Sequence, residues 1–124
     1  MSPTPNSNQQ TGKKGEDLAS YFLQNLGYKI IERNFQKKHG DIDIVALDGK
    51  TLVFIEVKTR KTQSFGLPVE AITARKIKSL IHSAYLYKAL HPKTPESMRI
   101  DVITIDYSTT LTDPRIEHIK NITL

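Results

Sequence analysis

The segment DIDIVALDGKTLVFIEVK, residues 41–58, decides how the chain is read. Two apolar runs with interleaved charges flank Asp48-Gly49, a dipeptide suited to a tight hairpin because Gly adopts positive φ at little cost. With Leu47 and Lys50 flanking a two-residue loop, Val45 faces Leu52, Asp43 faces Phe54 and Asp41 faces Glu56. Directly opposed residues share a sheet face, as do residues two apart along a strand. One face then holds Ile42, Ile44, Ala46, Val53, Ile55 and Val57, all apolar, and is assigned to the core. The other holds Val45, Leu52 and Phe54 near the turn, and Asp41, Asp43, Glu56 and Lys58 at the open end. Carboxylates crowded in this way repel one another unless positive charge lies between them. Lys58 supplies part of that charge, and a divalent cation would supply the rest.

Working outward, the apolar spacing of Leu18, Ala19, Phe22 and Leu26 predicts a helix over 12–26, stopped by Gly27. Strands are expected at 28–34, 41–47, 50–58, 99–107 and 116–122. A second helix is expected from about Thr73 to Leu90, burying Ile77, Leu80, Ile81, Ala84 and Tyr85, with Pro92 beyond its end. Short connections make the first three strands antiparallel. The helix between the third and fourth makes that pair parallel. The expectation is an α/β fold, α-β-β-β-α-β plus a last strand, with a mixed central sheet flanked by helices. Residues 1–10, polar and containing Pro3 and Pro5, read as a disordered tail with no signal-peptide or membrane-anchor character. Residues 11–124 read as one domain.

Composition narrows the chemistry. The absence of cysteine excludes disulfides, zinc–thiolate sites and thiol catalysis, and fits a reducing cytosol, so a cytoplasmic location is expected. The net charge is +5, and the excess lies in one segment. There Lys58, Arg60, Lys61, Arg75, Lys76, Lys78 and Lys88 are set against a single acid, Glu70. Such a surface suits a polyanion such as nucleic acid, although a solvated helix face and loop would have the same composition. Arg60, Lys61, Arg75 and Lys76 are the candidate phosphate-binding residues. Asp43 and Glu56 are the candidate metal ligands, oxygen donors suited to Mg²⁺ or Mn²⁺. Lys58 is the candidate for orienting water or stabilising developing charge. Glu16, on the edge of the first helix's apolar face, is a further carboxylate that could reach the site, while Asp17 points away. Arg33 and Asn34 could approach from the neighbouring strand. Asp101, inside an apolar strand, reads as a partnered structural acid, and Tyr85 and Tyr87 as helix packing or interface. The histidines at 39, 82, 91 and 118 have no metal-ligand spacing.

Asp43 followed by Glu56-Val57-Lys58 resembles the PD-(D/E)xK signature of the restriction-endonuclease-like superfamily, and the element order resembles that superfamily's core. An early helical Glu, here Glu16, is similar to the extra acid of archaeal Holliday-junction resolvases. A closer resemblance, covering nearly everything after the tail, is to the bacterial YraN-like family. It rests on Gly15-Glu16, Arg33-Asn34, Gly40-Asp41-Ile42-Asp43, the run Val53 to Arg60, Gly66-Leu67-Pro68, Lys76 and Arg99-Ile100-Asp101-Val102. Ile42 stands where the superfamily signature has Pro, and Asp41 where the YraN-like pattern usually has Glu. The resemblance implies a restriction-endonuclease-like fold. It also implies a Mg²⁺- or Mn²⁺-dependent nuclease acting on DNA, branched or structured DNA included, with Asp43, Glu56, Lys58 and Glu16 catalytic. A nucleic-acid-binding module that keeps the fold without catalysis is the alternative. A homodimer is one way to supply two sites for cutting two strands.

Overall fold

The computed structural model describes residues 7–35, 42–60, 72–107 and 112–122, with side chains from Lys13 onward. Its elements are α1 (Ser7–Asn25), β1 (Lys29–Phe35), β2 (Ile42–Asp48), β3 (Thr51–Arg60), α2 (Ala74–Leu90), β4 (Ser97–Asp106) and β5 (Arg115–Ile119). The strands form one five-stranded sheet in the order β1-β2-β3-β4-β5. β1–β2, β2–β3 and β4–β5 are antiparallel, and β3–β4 is parallel. This is the α/β, mixed-sheet architecture expected from the order of elements. No helix among the described residues is long and apolar enough to cross a membrane.

α1 begins at Ser7 rather than near Gly12, taking in residues 7–10 of the stretch read as tail. Pro5 precedes this start, and no proline lies between it and Asn25 to interrupt the turns. The helix ends in a Schellman motif. Gly27 takes φ 93°, the Tyr28 amide donates to Leu23 O at 3.0 Å, and the Gly27 amide donates to Gln24 O at 3.0 Å. α2 is capped by Thr73, whose hydroxyl accepts from the Lys76 amide at 3.1 Å.

The sheet buries both faces. On one, Ala19 and Leu23 of α1 pack with Ile44, Ala46, Val53, Ile55, Ile103 and Ile105. On the other, Leu80, Ala84 and Tyr87 of α2 pack with Val45, Leu52, Phe54 and Ile100. The alternation of the hairpin therefore separates two apolar layers, not one core and one solvent face. Ile42 is the exception to that alternation, joining Phe35 in the α2 layer. Its partner Phe35 follows Asn34, whose φ of 57° breaks the pleat of β1. Two helix positions also differ from expectation. Tyr85 is 64% exposed and Leu26 55% exposed, because the buried arcs run through Leu80, Ser83, Ala84 and Tyr87 in α2 and through Ala19 and Leu23 in α1.

The hairpin register is shifted from the one read in the sequence. Asp48 pairs with Thr51, Leu47 with Leu52 and Val45 with Phe54, leaving Gly49-Lys50 as the loop. Gly49 has φ 58° and Lys50 is not among the positive-φ residues, the φ signs of a type II′ turn. Moving the turn by one residue moves each cross-strand partner by two, so the side chains of the paired stretch, residues 44–48 and 51–55, keep their faces. Phe54 is thereby set across from Val45, not Asp43, and Asp43 lies past the last pair, within reach of the Glu56 charge.

Candidate functional site

At the open end of the hairpin the apolar ladder gives way to charge. The β2–β3 ladder runs as far as Ile44 with Ile55, and Asp43 and Glu56 follow one residue further along each strand. Asp43 Oδ2 accepts the Val57 amide at 2.8 Å, so its side chain takes over where backbone pairing stops. Glu56 is 4% exposed. Its Oε1 lies 3.5 Å from Lys58 Nζ and 3.7 Å from Lys76 Nζ. Its Oε2 is buried with no hydrogen-bond partner among the described residues. An acceptor left this way in a buried carboxylate is costly unless a cation or water completes it.

Asp43 is electrostatically the most perturbed group of the site. Burial pushes its carboxyl up to about 7, and the neighbouring charges of Glu56 and Glu16 push in the same direction. The Val57 amide and the Lys76 ammonium oppose the rise. Two carboxylates that repel across a strand pair, one of them with an unpartnered buried oxygen, fit a small oxygen-preferring divalent cation that keeps several waters. They do not make a closed cage: among the described residues no three His, Cys, Asp or Glu side chains converge.

Glu16 reaches the site's edge but is already engaged. It lies 3.4 Å from Arg33 Nη2. The Asn34 amide, oriented with its nitrogen toward the carboxylate, donates to Oε1 at 3.3 Å and Oε2 at 3.2 Å. The left-handed conformation that Asn34 tolerates aims that amide. Arg33 and Asn34 thus act through Glu16, and Glu16 reaches Asp43 through its field. Asp17, expected to point away, is half-exposed yet binds Arg33 Nη1 at 2.9 Å. Behind Glu16, Gly15 packs so closely on β3 that an added Cβ would overlap Thr59 Oγ1.

Of the expected phosphate-binding residues, Arg60 closes β3 in register with Asp106, and Arg75 is exposed in the first turn of α2. Lys76 also pairs with Glu56, a long-range contact that no local sequence signal announces. Lys61 and Asp41 lie outside the described residues. Asp101 is fully buried and far from a ligand role. It accepts from His118 Nε2 at 2.8 Å, from the Asn121 amide at 3.0 Å and from Arg99 Nε at 3.1 Å. Burial pushes its carboxyl up, but those three donors hold it below the ordinary value.

Residues 15–105 match the model of the uncharacterised protein family UPF0102. The chain belongs to that family. A UPF0102 protein of Geobacter sulfurreducens is 46% identical over 116 residues, covering 92% of this chain and 88% of the relative. One from Geobacter metallireducens is 45% identical over 114 residues, covering 92% of each chain. One from Chlorobium chlorochromatii is 40% identical over 125 residues, covering 98% of this chain and 95% of the relative. The span matched to UPF0102 takes in Gly15, Glu16, Asp43, Glu56, Lys58 and Lys76, so the candidate site lies within the family's own domain.

Proposed function

We propose that the protein is a Mg²⁺- or Mn²⁺-dependent nuclease hydrolysing phosphodiester bonds in DNA, branched or structured DNA included. The observation that carries this reading is the closeness of Asp43 and Glu56 at the open end of the hairpin, with a buried Glu56 oxygen unpartnered among the described residues and Lys58 beside it. Asp43 and Glu56 would hold the cation. A divalent metal bound there supplies Lewis acidity and charge neutralisation at the scissile phosphate. Lys58, drawn toward Glu56, orients the attacking water or meets charge developing on the phosphate oxygens. Glu16, held by Arg33 and Asn34, adds negative field beside Asp43 that attracts a cation to the site. Arg60, Lys61 and Arg75 hold neighbouring phosphates. The resemblance of Asp43 and Glu56-Val57-Lys58 to the PD-(D/E)xK signature supports the same chemistry. On this reading the protein works in the cytoplasm, and cutting both strands draws on two copies.

One observation favours a second reading, a non-catalytic nucleic-acid-binding module. Lys58 and Lys76 both already lie against Glu56, so cations of the chain itself offset part of the charge a metal would meet. Cleavage of duplex, single-stranded, flap and four-way-junction DNA with Mg²⁺ or Mn²⁺ decides between them, with Asp43→Asn and Lys58→Ala as controls. Metal-dependent cleavage lost in both variants supports the nuclease. Salt-sensitive binding without cleavage leaves the binding module.

A further inference from the structure

α2 carries a feature that the hairpin site does not use. Arg75, Lys78, His82 and Tyr85 are all exposed. At 100° per residue they fall within an arc of roughly 80°, forming one stripe along the helix. The helix sequence ARKIKSLIHSAYLYKAL contains no acid. Arg75, Lys78 and His82 make no ion pair with any described residue. At its start the stripe adjoins Lys76, which touches Glu56. At its other end Tyr85, 64% exposed, forms one wall of a cavity of about 320 Å³ between α2 and β4. Phe54, Ile81, Met98 and Ile100 line the same cavity. Tyr87 differs in kind, being buried edge-on against Phe35 and Phe54.

We infer that this stripe is a track for an unpaired nucleic-acid strand, with Tyr85 stacking on an unstacked base at the mouth of the α2–β4 cavity. The inference rests on the nuclease reading and names its substrate class: DNA with a single-stranded arm beside the scissile bond. Cations set the phosphates along the helix, and an aromatic face at the end takes a base of any identity, the pairing typical of sequence-tolerant single-strand binders. Lys76 and Tyr85 are separated by roughly 14 Å of helix rise. At the duplex rise of about 3.4 Å per nucleotide this is roughly four nucleotides, and an extended unpaired strand crosses it with fewer. A duplex cannot present a base to Tyr85 without unpairing it, so the cavity separates strands with free bases from blunt duplexes.

The test is fluorescence anisotropy of the full chain in EDTA, with a short single-stranded oligonucleotide, a flap of the same sequence and the blunt duplex. A fluorescent adenine analogue in the arm reports stacking directly. Tyr85→Ala is expected to weaken single-strand and flap binding about tenfold or more, with loss of the stacking signal. Tyr85→Trp retains both, and duplex binding stays unchanged throughout. Because Tyr85 is exposed, an unchanged melting temperature separates loss of stacking from loss of fold. Single-strand and flap binding by Tyr85→Ala as tight as by the wild type overturns the inference. So does loss of self-association, with oligonucleotide binding intact, since the face would then be a contact between copies of this chain. Tyr85-dependent binding without metal-dependent cleavage removes the nuclease reading and leaves the track. Duplex and flap cleavage indifferent to Tyr85 removes the track and leaves the nuclease.

Discussion

Replacing Asp43 by Asn should make this protein more stable, and the gain should depend on pH. Asp43 Oδ2 accepts the Val57 amide at 2.8 Å, and an amide oxygen keeps that bond. What the substitution removes is a charge that burial, Glu56 and Glu16 all disfavour. The carboxyl moves from 3.8 to about 7. That displacement corresponds to about 4 kcal/mol between ionised and neutral forms. Solvent at the exposed side of the group and relaxation around the amide reduce the expected gain to about 1–3 kcal/mol near pH 8. The sign follows from proton uptake. A carboxyl held above its unfolded value opposes folding only when ionised, so the penalty is absent below about pH 4, grows through the intervening range and levels off above about pH 7. Urea unfolding of the wild type and Asp43→Asn across that range measures the difference directly. Divalent metal should raise the wild-type midpoint at the alkaline end, where the carboxylate is free of its proton, and leave Asp43→Asn unmoved. If Asp43→Asn is less stable than the wild type near pH 8, or if its gain is the same at both ends of the range, the account of a repelled, metal-ready carboxylate is wrong.

Gly15→Ala should cost about 1–3 kcal/mol, because its Cβ meets the branched Thr59 side chain against β3. Thr59→Ala in the same chain should recover much of that loss in thermal melts, and no recovery would place the strain elsewhere. Asp101→Ala should cost about 3 kcal/mol, since it strips partners from Arg99, His118 and the Asn121 amide in a fully buried position. Chemical denaturation measures it. At Asn34, φ 57° and the bonds to Glu16 favour Asn over Gly and Gly over Ala. Asn34→Ala should lose about 1–2 kcal/mol and Asn34→Gly less, and the reverse order in unfolding experiments would refute the left-handed role.

Parity along the hairpin was legible without any structure. Because the side-chain period of a strand is two, the alternation in residues 41–58 was enough to put Asp43, Glu56 and Lys58 on one face, even with the turn placed one residue early. The shifted turn changes the partners along the ladder, Val45 meeting Phe54 instead of Leu52, while Asp43 still feels the Glu56 charge past its end. The same pattern did not disclose that both faces are buried, since Val45, Leu52 and Phe54 look alike whether covered by α2 or left at a rim. Helix rotation was similarly ambiguous. Tyr85 and Tyr87 both sit near the apolar arc of α2, and only packing against Phe35 and Phe54 decides that Tyr87 turns inward.

The sequence by itself determined the order of elements, the α/β class, the charged end of the hairpin and the place of Asp101 as a partnered acid. These follow from local periodicity, from glycine and proline positions, and from the cost of burying a charge alone. The tertiary structure decided which lysines meet Glu56, that Arg33 and Asn34 hold Glu16, and how far Asp43 is displaced from an ordinary carboxyl. Each of these depends on side chains distant along the chain coming within a few ångströms, where Coulomb energy and desolvation change steeply with distance. Local sequence pattern has no access to that distance.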